Sequence, residues 1–184
     1  MRNLVSLQRR VWALETSSVS SDQCVAFASI PGESQVFFLR ASGRIEVLQL
    51  EEDAHSLQLF LNLREFVDNG DISSGCWRWM NYVAELGTLV CASTSGALVS
   101  VDVDAMDGEE VGSVDSGLRA VAWSDNQEML ALVTGVGSLL VMNNDWEVLH
   151  ETEIKSSLPS DLELSTSDEH WSCELCWRED SRTA

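Results

Sequence analysis

Cys173 and Cys176 stand three residues apart, a spacing used both by metal chelation and by thiol–disulfide exchange. A structural zinc site needs four ligands. No second cysteine pair exists, because Cys24, Cys76 and Cys91 are scattered, and His170 is the only nearby histidine. A thioredoxin-like motif needs a βαβ setting that is missing here. Both cysteines therefore read as residues of an alternating strand. The run Asp102-Val103-Asp104-Ala105-Met106-Asp107-Gly108 is spaced like the start of a calcium loop. The register fails: Met106 holds the fifth position, Asp107 the sixth where glycine is required, and Ser113 the twelfth where glutamate is required. Asp107-Gly108 reads instead as a hairpin turn. Gly135-x-Gly137-x-x-Leu140 lacks the third glycine of a dinucleotide-binding fingerprint and opens no helix, so it reads as a strand-to-strand turn. No Gly-x-Ser-x-Gly elbow occurs. His55, His150 and His170 assemble no triad along the sequence. The residues thus assign no catalytic, cofactor-binding or metal-binding position, and the expectation is a protein that is not an enzyme. A redox or metal enzyme centred on Cys173 and Cys176 is the weakest of the readings.

The elements around these residues repeat. Val36 to Leu39, a turn at Ser42-Gly43, then Ile45 to Val47 form one unit. Leu89 to Ala92, Ser95-Gly96, then Leu98 to Val101 form a second, and Leu130 to Val133, Val136-Gly137, then Leu139 to Val141 a third. The turn glycines Gly43, Gly96 and Gly137 lie 53 and then 41 residues apart. Glycine suits these turns because a two-residue hairpin turn often needs a positive φ. The third unit is the most complete, with runs at Leu118–Trp123, Met129–Thr134, Ser138–Met142 and Trp146–His150. Four short strands in roughly 40 residues is the size of a propeller blade. The expected fold is all-β: a partial, WD40-like β-propeller of about three to four blades. The blade segments are expected at 22–50, 76–114 and 115–153, with a further blade starting at 170–178. A ring usually takes about 4–8 blades, so it is not expected to close within this chain, which reads as a fragment of a longer protein. The 53-residue interval carries an insertion near Glu51 to Gly75, where Leu57, Leu59, Leu61 and Leu63 alternate as in an outer strand. Blade markers are Gly43, Gly96, Gly137, Trp123, Trp146 and Trp177. Trp123 and Trp177 are expected to pack. Trp12, Trp77 and Trp171 read equally well as packing residues or as anchors for a partner.

Net charge is −19, from 30 acidic and 11 basic residues. Such a surface repels phosphate, so direct nucleic-acid binding by this segment is not expected. An acidic face suits solubility or a basic partner. Residues 1–10 contain no apolar core of a secretory signal. No apolar run approaches the roughly 18 residues of a membrane span. Five cysteines without a signal read as reduced thiols, which places the chain in the cytoplasm, with the nucleus as a second compartment.

Three stretches carry a resemblance. Met1-Arg2-Asn3-Leu4 looks like a family N-terminus. Gly112-Ser113-Val114-Asp115-Ser116-Gly117 through Trp123-Ser124-Asp125-Asn126-Gln127-Glu128, continued by Val133-Thr134-Gly135 through Trp146-Glu147, is similar to a family block built on VGSVxSG and WSPDQE. Cys176-Trp177-Arg178-Glu179-Asp180 looks like the family's ISWRGDG strand. On these residues the chain resembles the N-terminal propeller of the largest subunit of the Elongator complex, the IKAP family. The match is specific from about residue 111 to 155. It departs from the family at Asn126, in the turn where the family has a proline-aspartate arrangement, and at Glu179, where the family has glycine. The resemblance implies a non-catalytic scaffold in an assembly that modifies the wobble uridine of tRNA. It implies other Elongator subunits as partners: a catalytic acetyltransferase-like subunit and a second propeller subunit. No cofactor and no direct RNA contact by this segment are implied. A free-standing WD40-like adaptor of another cytosolic complex is the rival reading.

Overall fold

Runs of β-branched, aliphatic and aromatic residues, cut by short polar loops, form twelve strands in the computed structural model, which describes residues 22–50, 57–67, 76–154 and 174–177. The first sheet holds β1 (Cys24–Ser29), β2 (Gln35–Arg40), β3 (Arg44–Gln49) and β4 (Leu57–Asn62). The second holds β5 (Trp77–Val83), β6 (Thr88–Ser93), β7 (Ala97–Asp102) and β8 (Asp107–Ser113). The third holds β9 (Leu118–Trp123), β10 (Met129–Thr134), β11 (Ser138–Asn143) and β12 (Val148–Glu153). Each sheet is an antiparallel meander in simple sequence order. This is a partial β-propeller, and no sheet closes on itself among the described residues.

Alternation along each strand sends neighbouring side chains to opposite faces. In the middle sheet both faces are covered. Leu89, Cys91, Val99 and Val101 pack toward the first sheet, against Phe37, Leu39, Ile45 and Trp77. Ala92 and Leu98 pack toward the third, with Leu118, Leu130, Leu132 and Met142. Two-sided burial explains why β6 and β7 read as nearly unbroken apolar runs. The outward face of the first sheet is different: Phe27 is 73% exposed and Leu59 57%.

Several boundaries differ from the sequence expectation. The first sheet extends past residue 50, because β4 pairs with β3 across the insertion. The glycine turns are three-residue loops, at 41–43, 94–96 and 135–137, not two-residue ones. Each closes with the glycine amide donating to the carbonyl of Arg40, Ser93 or Thr134, and the glycine is left-handed (φ 94°, 112° and 85°). Asp107 and Gly108 are the first residues of β8, not a turn. The Asp102 carboxylate accepts the amides of Asp104 and Ala105, which turns the chain earlier and puts Met106 at φ 54°. Trp146 lies in the turn before β12 at φ 67°, not at the start of a strand. Residues 174–177 belong to no strand; the rest of the segment expected to start a further blade, 170–173 and 178, lies outside the described residues. A strand exists only through a paired neighbour, and none of the described residues pairs with this segment.

Candidate interaction site

One hydrogen-bonding scheme recurs at three places and sets the geometry of the inner strands. Within each sheet, the first loop residue (Ala41, Thr94 or Gly135) donates its amide to the carbonyl just before or at the start of the inner strand (Gln23, Cys76 or Gly117). The loop glycine accepts from the amide after the outermost strand: Leu63, Val114 and Ile154 donate to Gly43, Gly96 and Gly137. Between sheets, the Ala41 carbonyl accepts from Trp77 at 3.3 Å and the Thr94 carbonyl from Leu118 at 3.1 Å. The first two loops therefore dock the first residue of the next sheet. Side chains add to this at Ser42, whose amide and hydroxyl both donate to Asp22. Trp77 slides its indole under Gly43, where an added Cβ would lie 2.6 Å from Nε1. That indole is 1% exposed and its Nε1 finds no acceptor among the described residues. Trp77 is a packing residue, so its alternative role as an anchor is settled by burial. Trp12 and Trp171 lie outside the described residues.

Docked this way, β1, β5 and β9 converge on a cleft of about 480 Å³. Val25 of β1, Arg78 and Trp79 of β5, Trp123 of β9 and Asp125 of the following turn line it. Trp123 meets Trp146 edge to face, with centroids 6.2 Å apart. Trp177 donates from Nε1 to the Ala122 carbonyl at 3.0 Å, so its indole sits against β9. Gln127 joins sheets rather than facing a ligand: its side-chain oxygen accepts from the Ala84 amide at 2.7 Å and its NH₂ donates to the Tyr82 carbonyl at 2.9 Å. From the sequence Gln127 was only part of a polar turn, because its partners lie more than 40 residues earlier.

The cleft offers aromatic faces, one guanidinium and one carboxylate. That equips it to hold a peptide or a side chain. Among the described residues no three of His, Cys, Asp and Glu group to hold a metal ion. Cys176 is exposed, and Cys173 lies outside the described residues. His150 stands on the outer strand β12, away from the inner strands, while His55 and His170 lie outside the described residues. Burial holds the Cys91 thiol far above its ordinary range, which keeps it protonated and inert. No described helix is long and apolar enough to cross a membrane.

Comparison with known proteins places this geometry. The ELP1 first N-terminal beta-propeller family matches residues 1–167. The chain is similar to Elongator complex protein 1 of Arabidopsis thaliana, 25% identical over 173 residues that make up 89% of the chain and 13% of that relative. It is 26% identical over 178 residues to the Schizosaccharomyces pombe protein of the same name, covering 92% of the chain and 13% of the relative. To that of Rattus norvegicus it is 29% identical over 134 residues, 67% of the chain and 10% of the relative. The chain thus spans roughly an eighth or less of the length of these relatives.

Proposed function

The chain belongs to the ELP1 first N-terminal beta-propeller family, and on that premise we propose that it is a non-catalytic scaffold segment of the Elongator complex. In this reading it supports tRNA wobble-uridine modification by helping to position the catalytic acetyltransferase-like subunit, beside a second propeller subunit, in the cytoplasm. The observation that carries the reading is the interlocked sheet stack. Loop carbonyls fix each successive sheet, and the large buried side chains lie between sheets. Such a stack is a rigid surface on which other proteins can be held at fixed spacing. The net charge of −19 favours protein partners over direct contact with RNA.

The test is an affinity-tagged chain expressed in eukaryotic cells, with immunoblots for the Elongator catalytic subunit. Recovery of that subunit at a constant ratio through a salt wash is the expected result. Its absence beside a folded chain, shown by circular dichroism, counts against the scaffold role in this complex. Stable recovery of a different complex in its place favours the adaptor reading.

A further inference from the structure

The cleft on β1, β5 and β9 has two unlike ends. At one end the Thr94 amide donates to the Cys76 carbonyl and the Thr94 carbonyl accepts from Leu118, so a single loop residue links the starts of β5 and β9. At the other end Gln127 reaches the Tyr82 carbonyl and the Ala84 amide, so the turn after β9 lies level with the end of β5. The two strands therefore run side by side in the same direction. Arg78 borders the cleft at the start of β5. Asp125 borders it from the turn that the Gln127 side chain fastens at Tyr82, four residues further along β5. Four residues of strand rise about 13 Å. Neither charge is used within the chain: the ion pairs join Arg40 and Arg44 to Glu46, and Arg78 and Asp125 have no partner among the described residues. Both are exposed. Between them stand Trp79 and Trp123, part-buried side chains that edge the core between the second and third sheets. The Asn81 amide also borders the cleft and likewise has no hydrogen-bond partner among the described residues.

We propose that this cleft binds a short extended segment of a partner protein that carries an acidic and a basic residue four positions apart, with an aliphatic residue midway. Alternate side chains of an extended chain face one way, so all three enter the cleft together. Residues four apart in an extended chain stand about 13 Å apart, which matches the two charges; in a helix they stand about 6 Å apart, too close to meet both ends. The acidic residue meets Arg78, whose guanidinium can grip a carboxylate through two parallel hydrogen bonds. The basic residue meets Asp125 beside Trp123, where a cation also gains from the indole face. The aliphatic residue covers Trp79 and takes apolar surface out of water. Asn81 offers a donor and an acceptor to the backbone of the segment. Charge selects the occupant, because a wholly basic or wholly acidic segment meets a like charge at one end of the cleft. This pairing needs only the chemistry of the cleft and is independent of the Elongator subunits.

The probe is a heptapeptide of serines with glutamate, leucine and arginine at its second, fourth and sixth positions, titrated into the purified chain and followed by the indole N–H signals in NMR spectra. Saturable binding that shifts the Trp79 and Trp123 signals is expected. Arg78→Glu should weaken binding at least about tenfold, and a peptide with lysine in place of its glutamate should recover that loss to within about threefold. Asp125→Lys should be matched in the same way by a peptide with glutamate in place of its arginine. Arg64→Glu and Glu151→Lys change net charge by the same amounts without bordering the cleft, and should leave binding within about twofold. If Asp125→Lys does not fold, as judged by circular dichroism, Asp125→Asn replaces it, with weaker binding of the first peptide expected. Failure of the exchanged peptides to recover binding would overturn the proposal. So would equal weakening by Arg64→Glu, which would mean a response to overall charge, or equal affinity for a peptide whose charges stand three positions apart. Absence of binding by every peptide would overturn it as well; indole signals that then shift with protein concentration alone would show a second copy filling the cleft.

Discussion

Glycine positions divide into those that sequence reveals and those it hides. Gly43, Gly96 and Gly137 were legible because a left-handed residue closing a tight loop is nearly always glycine. Gly135 was not: a Cβ there would strike the Ser116 carbonyl, a neighbour brought close only by the fold. Two left-handed glycines separate backbone strain from crowding. At Gly32 (φ 86°) nothing lies within 4 Å of an added Cβ, whereas at Gly96 that atom would overlap the Val114 carbonyl. Gly32→Ala should cost about 1–2 kcal/mol from backbone strain alone. Gly96→Ala should cost about 1–3 kcal/mol more. Urea unfolding midpoints compare them, and equal costs would show that the Val114 contact relaxes freely. Cysteines separate by burial in the same way. Iodoacetamide should modify Cys24 and Cys176 within minutes and Cys91 only at the rate of global unfolding, read by mass spectrometry. The folded state keeps the Cys91 proton while the unfolded thiol releases it near its ordinary value of 9.0. The stability Cys91 contributes is thus complete below about pH 9 and declines as pH rises beyond it. Melting curves of wild type and Cys91→Ala should diverge in slope only in that alkaline range.

At the scale of strands, the central runs were the readable part. Leu118–Trp123 and Met129–Thr134 are β9 and β10, because alternation and β-branched content survive any packing arrangement. Strand ends were misjudged where a side chain redirects the backbone. The Asp102 carboxylate moved one turn away from Asp107-Gly108. Trp146 is held in the β11–β12 turn, where the Asn143 side chain accepts the amides of Asp145 and Glu147. Contacts between sheets were invisible, since nothing in the turn Ser124 to Gln127 names Tyr82 or Ala84 as partners. Gln127→Ala removes both hydrogen bonds from that side chain to the second sheet. The expected cost is about 1–2 kcal/mol. Hydrogen exchange at the Ala84 amide should accelerate roughly tenfold, as a loss of about 1.4 kcal/mol implies. Unchanged exchange would mean that the Gln127 side chain adds nothing to the join between the two sheets.

For the whole molecule, the repeat spacing identified the architecture, and the family match over residues 1–167 extends well beyond the block at 111–155 that first suggested it. Charge could be summed from the sequence, but its arrangement could not. Only the fold brings Arg78 and Asp125, 47 positions apart, to one cleft. Within each sheet every strand after the first pairs with its immediate predecessor, and every docking carbonyl belongs to a sheet made earlier in the chain: Ala41 receives Trp77 and Thr94 receives Leu118. That one-way arrangement has a consequence during translation. The first sheet can be complete on the ribosome before the second has emerged, and its finished loop is then the seed that fixes where the next meander begins. Order of synthesis becomes order of assembly, and the slow search for distant strand partners is avoided. Chains stalled with residue 113 outside the exit tunnel should already resist protease across β1 to β8. Protection that arises only once β12 has emerged would show that the stack forms in a single concerted step.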